Sequence, residues 1–352
     1  MKAIIILLIA ILAVAAVAAV SYLIVTKFPS VQYALVGNPS SISFDNQMGS
    51  SNNSTKTTIT ETAAIPDFNV AAVGDWGCNS NSSATASNIN SKNPEVVIAL
   101  GDLSYTSTFD CWLNEVAPLD SRMHIVIGNH DAEDETRTDL QKLMSHYGLA
   151  NQYYSFNYQN IIHFAIVSTE LPYTPGTAQY NFVNNDLALA SSNPNIKWKI
   201  VMFHKPAYTS PGGHDAIAEL RDALHPLFDK YDVDFVLQGH NHNYQRMYPL
   251  KYNNNNQSSP IITTTEKANY GNYDGEIWLV AGTGGQSQYS FSGQAPFVIY
   301  QQAASYGFLN LDFTNNGNTV TGKFYSNGNG SIQDTFTVTK GEDSSSIIPT
   351  SQ

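Results

Sequence analysis

The chain has 352 residues, of which 42% are hydrophobic and 13% charged, and its formal net charge is −12. That balance allows a sizeable core and excludes a nucleic-acid backbone as the main partner, because such a partner calls for a basic footprint. Its two cysteines, Cys78 and Cys111, form no Cys-x-x-Cys pair, which excludes a zinc ribbon or thioredoxin-type motif; they read as one disulfide in an exported chain or as two buried thiols.

Residues Ala3 to Val25 form an uninterrupted uncharged run between Lys2 and Lys27. As a helix at about 1.5 Å per residue the run is about 34 Å long, enough to cross a hydrocarbon core of about 30 Å. The very short N-terminal flank favours an N-in, C-out orientation. Ala16-Val17-Ala18 resembles a signal-peptide cleavage site, but the apolar run resumes at Tyr22-Leu23-Ile24-Val25. Residues 1–28 therefore read as a transmembrane anchor, with a cleaved signal peptide as the alternative. Either places the rest of the chain outside the cytoplasm, as a single-pass cell-membrane protein or a secreted one. Residues 29–65 are rich in Ser, Thr and Asn and read as a linker, and residues 341–352 as a flexible tail.

Between them, residues 66–340 alternate short β-branched runs with helical patterns. Asn69–Val73, Glu95–Leu100 and His124–Ile127 read as strands, and Ser82–Ser91 and Thr138–Tyr147 as helices. Tyr153–Ser168 reads as two strands around a Gln159-Asn160 turn. A helix fits Thr177–Ser191, a buried strand Lys197–Phe203, and a second helix the spacing of Ile217, Leu220, Leu224, Leu227 and Tyr231. Val233–Leu237 and Glu276–Ala281 are further strands, and Gly307–Thr339 gives three more joined by Asn-Gly turns. Residues 253–272 read as a surface insertion. Strand–helix alternation with continuous apolar strands predicts an α/β fold with sheets buried by helices.

Five of these strands end in polar, glycine-flanked clusters of metal-ligand residue types. They are Gly74-Asp75-Trp76-Gly77, Gly101-Asp102-Leu103-Ser104-Tyr105, Gly128-Asn129-His130-Asp131, Val201-Met202-Phe203-His204 and Gly239-His240-Asn241-His242. In open α/β sheets, ligands bind beyond the carboxyl ends of strands, so the five clusters are expected to converge. Elsewhere the same residue types read as structural. His124 and His163 lie in strands, His146 and His225 read as surface or capping residues on helices, and Gly282-Thr283-Gly284-Gly285 reads as a turn.

The five blocks resemble the calcineurin-like metallophosphoesterases, and among them the purple acid phosphatases. That family's pattern is Asp-x-Gly, Gly-Asp-x-x-Tyr, Gly-Asn-His-Asp/Glu, Val-x-x-His and Gly-His-x-His, and all five occur here in order, from about Val70 to Thr339. The resemblance implies a metallophosphoesterase β-sandwich flanked by helices, in four α/β/β/α layers, preceded here by the N-terminal transmembrane helix and tether. It implies two adjacent metal ions: an iron(III) held by Asp75, Asp102, Tyr105 and His242, and a divalent Fe, Zn or Mn held by Asp102, Asn129, His204 and His240. Hard phenolate and carboxylate oxygens suit the trivalent ion. The implied activity is hydrolysis of phosphate monoesters by a metal-bound hydroxide, as an acid phosphatase acting on a small phosphorylated substrate. The alternatives are a phosphodiesterase or nucleotide hydrolase with the same site, or a phosphate-binding or adhesion protein with an idle one. His130 and His214 are expected to bind phosphate or act as general acid.

Overall fold

Val70 and Ala72 point to one side of the first strand and Ala71 and Val73 to the other, and all four are buried. Such a strand needs cover on both faces. The computed structural model, which describes residues 64–132, 138–271 and 273–341, supplies it with two sheets and outer helices. The chain divides into two units, Met1–Glu61 and Thr62–Gln352, of which the first lies outside the described residues. The Ala3–Val25 run therefore lies outside them too, as do nearly all of the 29–65 linker and residues 342–352. Among the described residues no helix is long and apolar enough to cross a membrane.

The elements follow in the order β1 (Phe68–Val73), α1 (Ser80–Lys92), β2 (Val96–Leu100), α2 (Asp110–Val116), β3 (Met123–Val126), α3 (Asn129–Ala132), α4 (Thr138–His146), β4 (Tyr154–Tyr158) and β5 (Ile162–Ile166). Next come α5 (Ala178–Ser192), β6 (Trp198–Met202), α6 (Ala218–Lys230), β7 (Phe235–Gln238), β8 (Tyr244–Lys251), β9 (Ile261–Ile262), β10 (Asn269–Tyr270) and β11 (Glu276–Ala281). The last four are β12 (Val298–Gln302), β13 (Gly307–Thr314), β14 (Thr319–Ser326) and β15 (Ile332–Thr339).

One sheet runs β10-β15-β14-β13-β1-β2-β3 and the other β12-β8-β11-β7-β6-β5-β4, with β9 paired to β8. Strands β1, β2 and β3 are mutually parallel, as are β5, β6, β7 and β11. Alternation along each strand divides the core into three. Ala72, Ile98 and Leu311 meet Ile200, Leu237 and Leu279 between the sheets. On the outside of the first sheet, Val73 and Ala99 pack against Ile89 of α1, Trp112 of α2 and Leu143 of α4. On the outside of the second, Val201 and Val236 pack against Leu187 of α5 and Leu224 and Phe228 of α6. These are the four expected layers.

Local chemistry sets several boundaries. Helix α1 has little apolar character, and its start is fixed by a reciprocal cap. The Asn79 side chain accepts from the Asn81 and Ser82 N–H groups while Ser82 Oγ accepts from Asn79 N at 2.8 Å. Such caps contribute about 1 kcal/mol. Gln159 and Asn160 both take positive φ, 47° and 56°, which suits a tight two-residue hairpin between β4 and β5.

The structure corrects the sequence reading at several points. Strands β8 and β12 and helix α2 had no clear period and were not expected. Residues 253–272 are not wholly a surface insertion: Asn269–Tyr270 pairs with β15, and Tyr270 is buried. Ile65, placed in the linker, packs against the inter-sheet core, and its N–H donates to Asn316 Oδ1 at 3.2 Å.

Candidate metal centre

The parallel strands bring the ends of β1, β2, β3, β6 and β7 to one rim of the sandwich, and the predicted residues meet there. Asp75, Asp102 and His240 adopt left-handed backbone conformations, with φ of 62°, 49° and 66°. This region disfavours residues with a Cβ and marks strain that the surrounding structure must hold. Glycines make room beside them. Gly101 has φ +87°, and a Cβ there would lie 2.5 Å from His204 Nδ1.

Two donor groups form, sharing Asp102: Asp75, Asp102 and His242 in one, and Asp102, His204 and His240 in the other. In the first, Tyr105 Oη lies 3.1 Å from Asp75 Oδ1, 3.1 Å from Asp102 Oδ2 and 2.9 Å from His242 Nε2. One phenolic proton cannot serve three acceptors. In the second, His204 Nε2 lies 3.2 Å from Asp102 Oδ1 and 3.2 Å from His240 Nδ1. The side-chain oxygen of Asn129 is buried and accepts no hydrogen bond. Six of the seven predicted ligands thus come together, and Asn129 precedes His130, whose backbone N–H donates to Asp102. That donor set, with the orphaned amide oxygen of Asn129, fits two cation sites that would share Asp102.

The residues behind the ligands orient them. His204 Nδ1 donates to the Leu100 carbonyl at 2.8 Å and His242 Nδ1 to the Ser287 carbonyl at 2.7 Å, which turns each Nε2 toward the carboxylates as the nitrogen open to a metal. The second carboxylate oxygen of Asp75 accepts from His240 N at 2.9 Å, and Asp102 Oδ1 accepts from His130 N at 2.9 Å. Asp131 ties two ligand loops together, accepting from Leu103 N at 2.8 Å and Gly128 N at 2.7 Å.

The electrostatics follow from burial. Burial opposes a charge on Asp102, but His204 beside it holds its carboxyl well below the usual range. Burial alone would lower His204, yet Asp102 raises it to about 10. Burial, with the Asp75 and Asp102 charges behind it, pushes the Tyr105 phenol far above its ordinary value. Burial also raises Asp131 to about 8, with Asp102 adding to it.

The two predicted proton carriers pack against different ligands. His130 packs against Tyr105 with ring centroids 4.4 Å apart, and both line a cleft of about 340 Å³ with the hydroxyls of Ser104, Thr106, Ser107 and Thr108. His214 stacks on His240 at 4.0 Å. Its loop is held by Asn241, whose side chain accepts from His214 N at 2.7 Å and donates to His214 O at 3.0 Å. Sequence reasoning missed Tyr289, which stacks on His242 at 4.1 Å from an irregular loop with no period to reveal it. It also passed over Asn241, although its position between two ligand histidines was a usable signal.

Other residues are framework. Trp76 packs in the core against Trp112. Tyr244 and Arg246 turn to Asp334, not into the cleft. The Gly282–Gly285 turn abuts the end of β1, with Gly284 N donating to Gly74 O at 2.8 Å. Cys78 and Cys111 form a disulfide linking the loop after β1 to α2.

A two-sheet sandwich with a shared-carboxylate donor pair at its strand ends defines a metallophosphoesterase architecture. The calcineurin-like phosphoesterase family matches residues 68–244, just over half of the chain, and the chain belongs to that family. Similar proteins include "Probable inactive purple acid phosphatase 1" of Arabidopsis thaliana, 27% identical over 71% of this chain and 44% of the relative. "Purple acid phosphatase 22" of the same plant is 30% identical over 55% and 48%. A "Nucleotide pyrophosphatase/phosphodiesterase" of Hordeum vulgare is 26% identical over 70% and 72%. The chain spans less than half the length of the first two. The solved purple acid phosphatase PPD1 from yellow lupin (Lupinus luteus) seeds shares the fold, with TM-score 0.67 and 24% identity over 78% of this chain and 54% of that one.

Proposed function

We propose that this chain is a purple acid phosphatase-like hydrolase of phosphate monoesters, working outside the cytoplasm with two metal ions. The observation that carries the reading is the pair of donor groups joined through Asp102, with the Tyr105 phenol on one side of the pair. In this reading Asp75, Asp102, Tyr105 and His242 hold iron(III), and Asp102, Asn129, His204 and His240 hold a divalent Fe, Zn or Mn. When bound, the ions supply charge for the phosphoryl oxygens and acidify a water to serve as nucleophile.

The chain's own groups do the rest. The Leu100 and Ser287 carbonyls fix the tautomers of His204 and His242. In this reading His130, which lines the 340 Å³ cleft, gives the leaving alkoxide its proton. In this reading His214, whose loop is held by Asn241, binds the phosphate. The disulfide supports an oxidising compartment, and the Ala3–Val25 run supports a membrane tether. Carbonate extraction of membranes tests the tether: an anchored chain stays in the pellet and a cleaved one is released.

A phosphodiesterase or nucleotide hydrolase is the second reading, favoured by the Hordeum vulgare relative's name and by the cleft beside His130. Comparing mono- and bis-(p-nitrophenyl) phosphate decides between them. The leading reading expects faster turnover of the monoester; a clear preference for the diester overturns it. Purified protein that carries both metals and turns over neither ester points to an idle, phosphate-binding site, as the word "inactive" in one relative's name suggests for that protein.

A further inference from the structure

A second cluster of ligand-type residues lies at the far end of the second sheet. His225 and Asp229 are four residues apart on α6, so both project from one face of the helix toward Glu276, the first residue of β11. His225 and Glu276 are fully buried. The last residue of β11, Ala281, lies next to the rim. Five steps at about 3.3 Å per residue put this cluster about 17 Å from the first along the strand.

His225 Nε2 lies 2.9 Å from Glu276 Oε2 and 3.8 Å from Asp229 Oδ1. Ligand atoms about 2.0–2.2 Å from a tetrahedral zinc stand roughly 3.3–3.6 Å apart, so the three are close to the required separation. With both carboxylates ionised, Glu276 Oε1 and Asp229 Oδ1 are buried without a hydrogen-bond donor, so the cluster needs either a cation or a proton shared between the two. Buried carboxylates are ordinarily paired or coordinated, since an unpaired one carries a desolvation cost of several kcal/mol.

The surroundings suit a metal. Tyr208 Oη lies 2.9 Å from His225 Nδ1 and also reaches the Gln257 carbonyl at 3.5 Å. It can therefore accept from Nδ1–H and pass its own proton on, leaving Nε2 as a lone-pair donor. Trp278 packs on the imidazole with ring centroids 4.9 Å apart. On the other side a cleft of about 380 Å³, lined by Asp229, Glu276, Lys251 and Tyr273, gives an ion and a completing water a way in. Lys251 acts on Asp229 and Glu276 only at longer range, because its ammonium is bonded to Asp274 at 2.6 Å.

We propose that His225, Asp229 and Glu276 form a third cation site, structural in role, selective for zinc or a similar divalent ion, with water as the fourth ligand. One imidazole and two carboxylates suit that class. The ion would clamp α6 to the start of β11. In the ion-free alternative, Glu276 is protonated and shares its proton with Asp229.

The test uses the full chain and zinc alone as the probe. Metal analysis of zinc-loaded wild type is expected to give one more equivalent than Glu276→Gln, with turnover at the rim retained in both. Zinc titration should show at least about 100-fold weaker binding at this site in the variant. If Glu276→Gln does not fold, Asp229→Asn, partly exposed at the end of α6, carries the same test. Diffraction at the zinc edge should place anomalous density between the three side chains. Equal metal content in wild type and variant, or zinc-loaded crystals with density at the rim and none here, overturns the proposal in favour of the shared proton.

Discussion

The molecule buries its polar groups in two contrasting ways. At the rim, Tyr105 Oη, Asp75, Asp102 and the three histidines crowd lone pairs into one place on strained backbone. In the framework, every nitrogen of the Arg246 guanidinium and both oxygens of Asp334 have a partner. The guanidinium gives Nε to Oδ2 at 2.7 Å and Nη2 to Oδ1 at 2.8 Å, Nη1 goes to the Lys267 carbonyl, and the Tyr244 hydroxyl completes Oδ2 at 2.9 Å. The difference separates an arrangement built to receive a cation from one that already contains its own. The His225 cluster lies in the framework but gathers two orphaned carboxylate oxygens around an imidazole, and that combination is why it is read as a cation site.

The contrast predicts that rim substitutions remove turnover and spare the fold, while framework substitutions do the reverse. The largest effect is expected from Asp102→Asn, which weakens the one ligand common to both donor groups. Turnover of p-nitrophenyl phosphate should fall by about 10³-fold or more, which is about 4 kcal/mol, with an unchanged circular dichroism spectrum. Retained turnover would break the division at its strongest point.

Asp334→Ala is the matching framework change. It strands a buried guanidinium and should cost about 3–5 kcal/mol in denaturant unfolding, while kcat of the remaining folded protein stays near wild type. A large loss of kcat without loss of stability would place Arg246 with the chemistry instead.

His214→Ala should be milder, because that ring stacks on His240 and lies outside both donor groups. Loss of one hydrogen bond to a charged phosphate gives an expected fall of roughly 10–100-fold in kcat/KM, with metal content preserved. Loss of metal would move His214 into the coordination sphere.

The smallest effect is a pH dependence of the framework. His124 stacks on Phe156 at 3.7 Å, and burial lowers its imidazole to about 4. The folded state thus resists a proton that the unfolded chain accepts near 6.5. Stability from this residue is complete above about pH 6.5 and is lost as pH falls toward 4, with about 1–2 kcal/mol gone by pH 5. His124→Phe should flatten that limb of unfolding free energy against pH. An unchanged limb would show that other groups set it.

The rim was legible in the sequence for a physical reason. Its ligands follow buried strands directly, and the glycines that permit the close approach, such as Gly101 beside His204, stand next to them in the chain. Strand periodicity also recovered β1–β7, β11 and β13–β15. What escaped depends on long-range packing. Strand β8 carries Arg246, whose charge is acceptable only because Asp334 lies across the sandwich. His225 read as a surface or capping residue because its partner Glu276 is 51 positions away. Tyr289 reaches His242 from a loop without periodicity.

The central claim, a two-cation rim with Tyr105 on an iron(III), is tested most directly by a visible absorption spectrum with metal analysis. Iron-loaded wild type is predicted to show a tyrosinate charge-transfer band and two rim equivalents. Tyr105→Phe is predicted to lose the band while remaining folded. A band that survives in Tyr105→Phe, or its absence from fully iron-loaded wild type, would contradict the assignment.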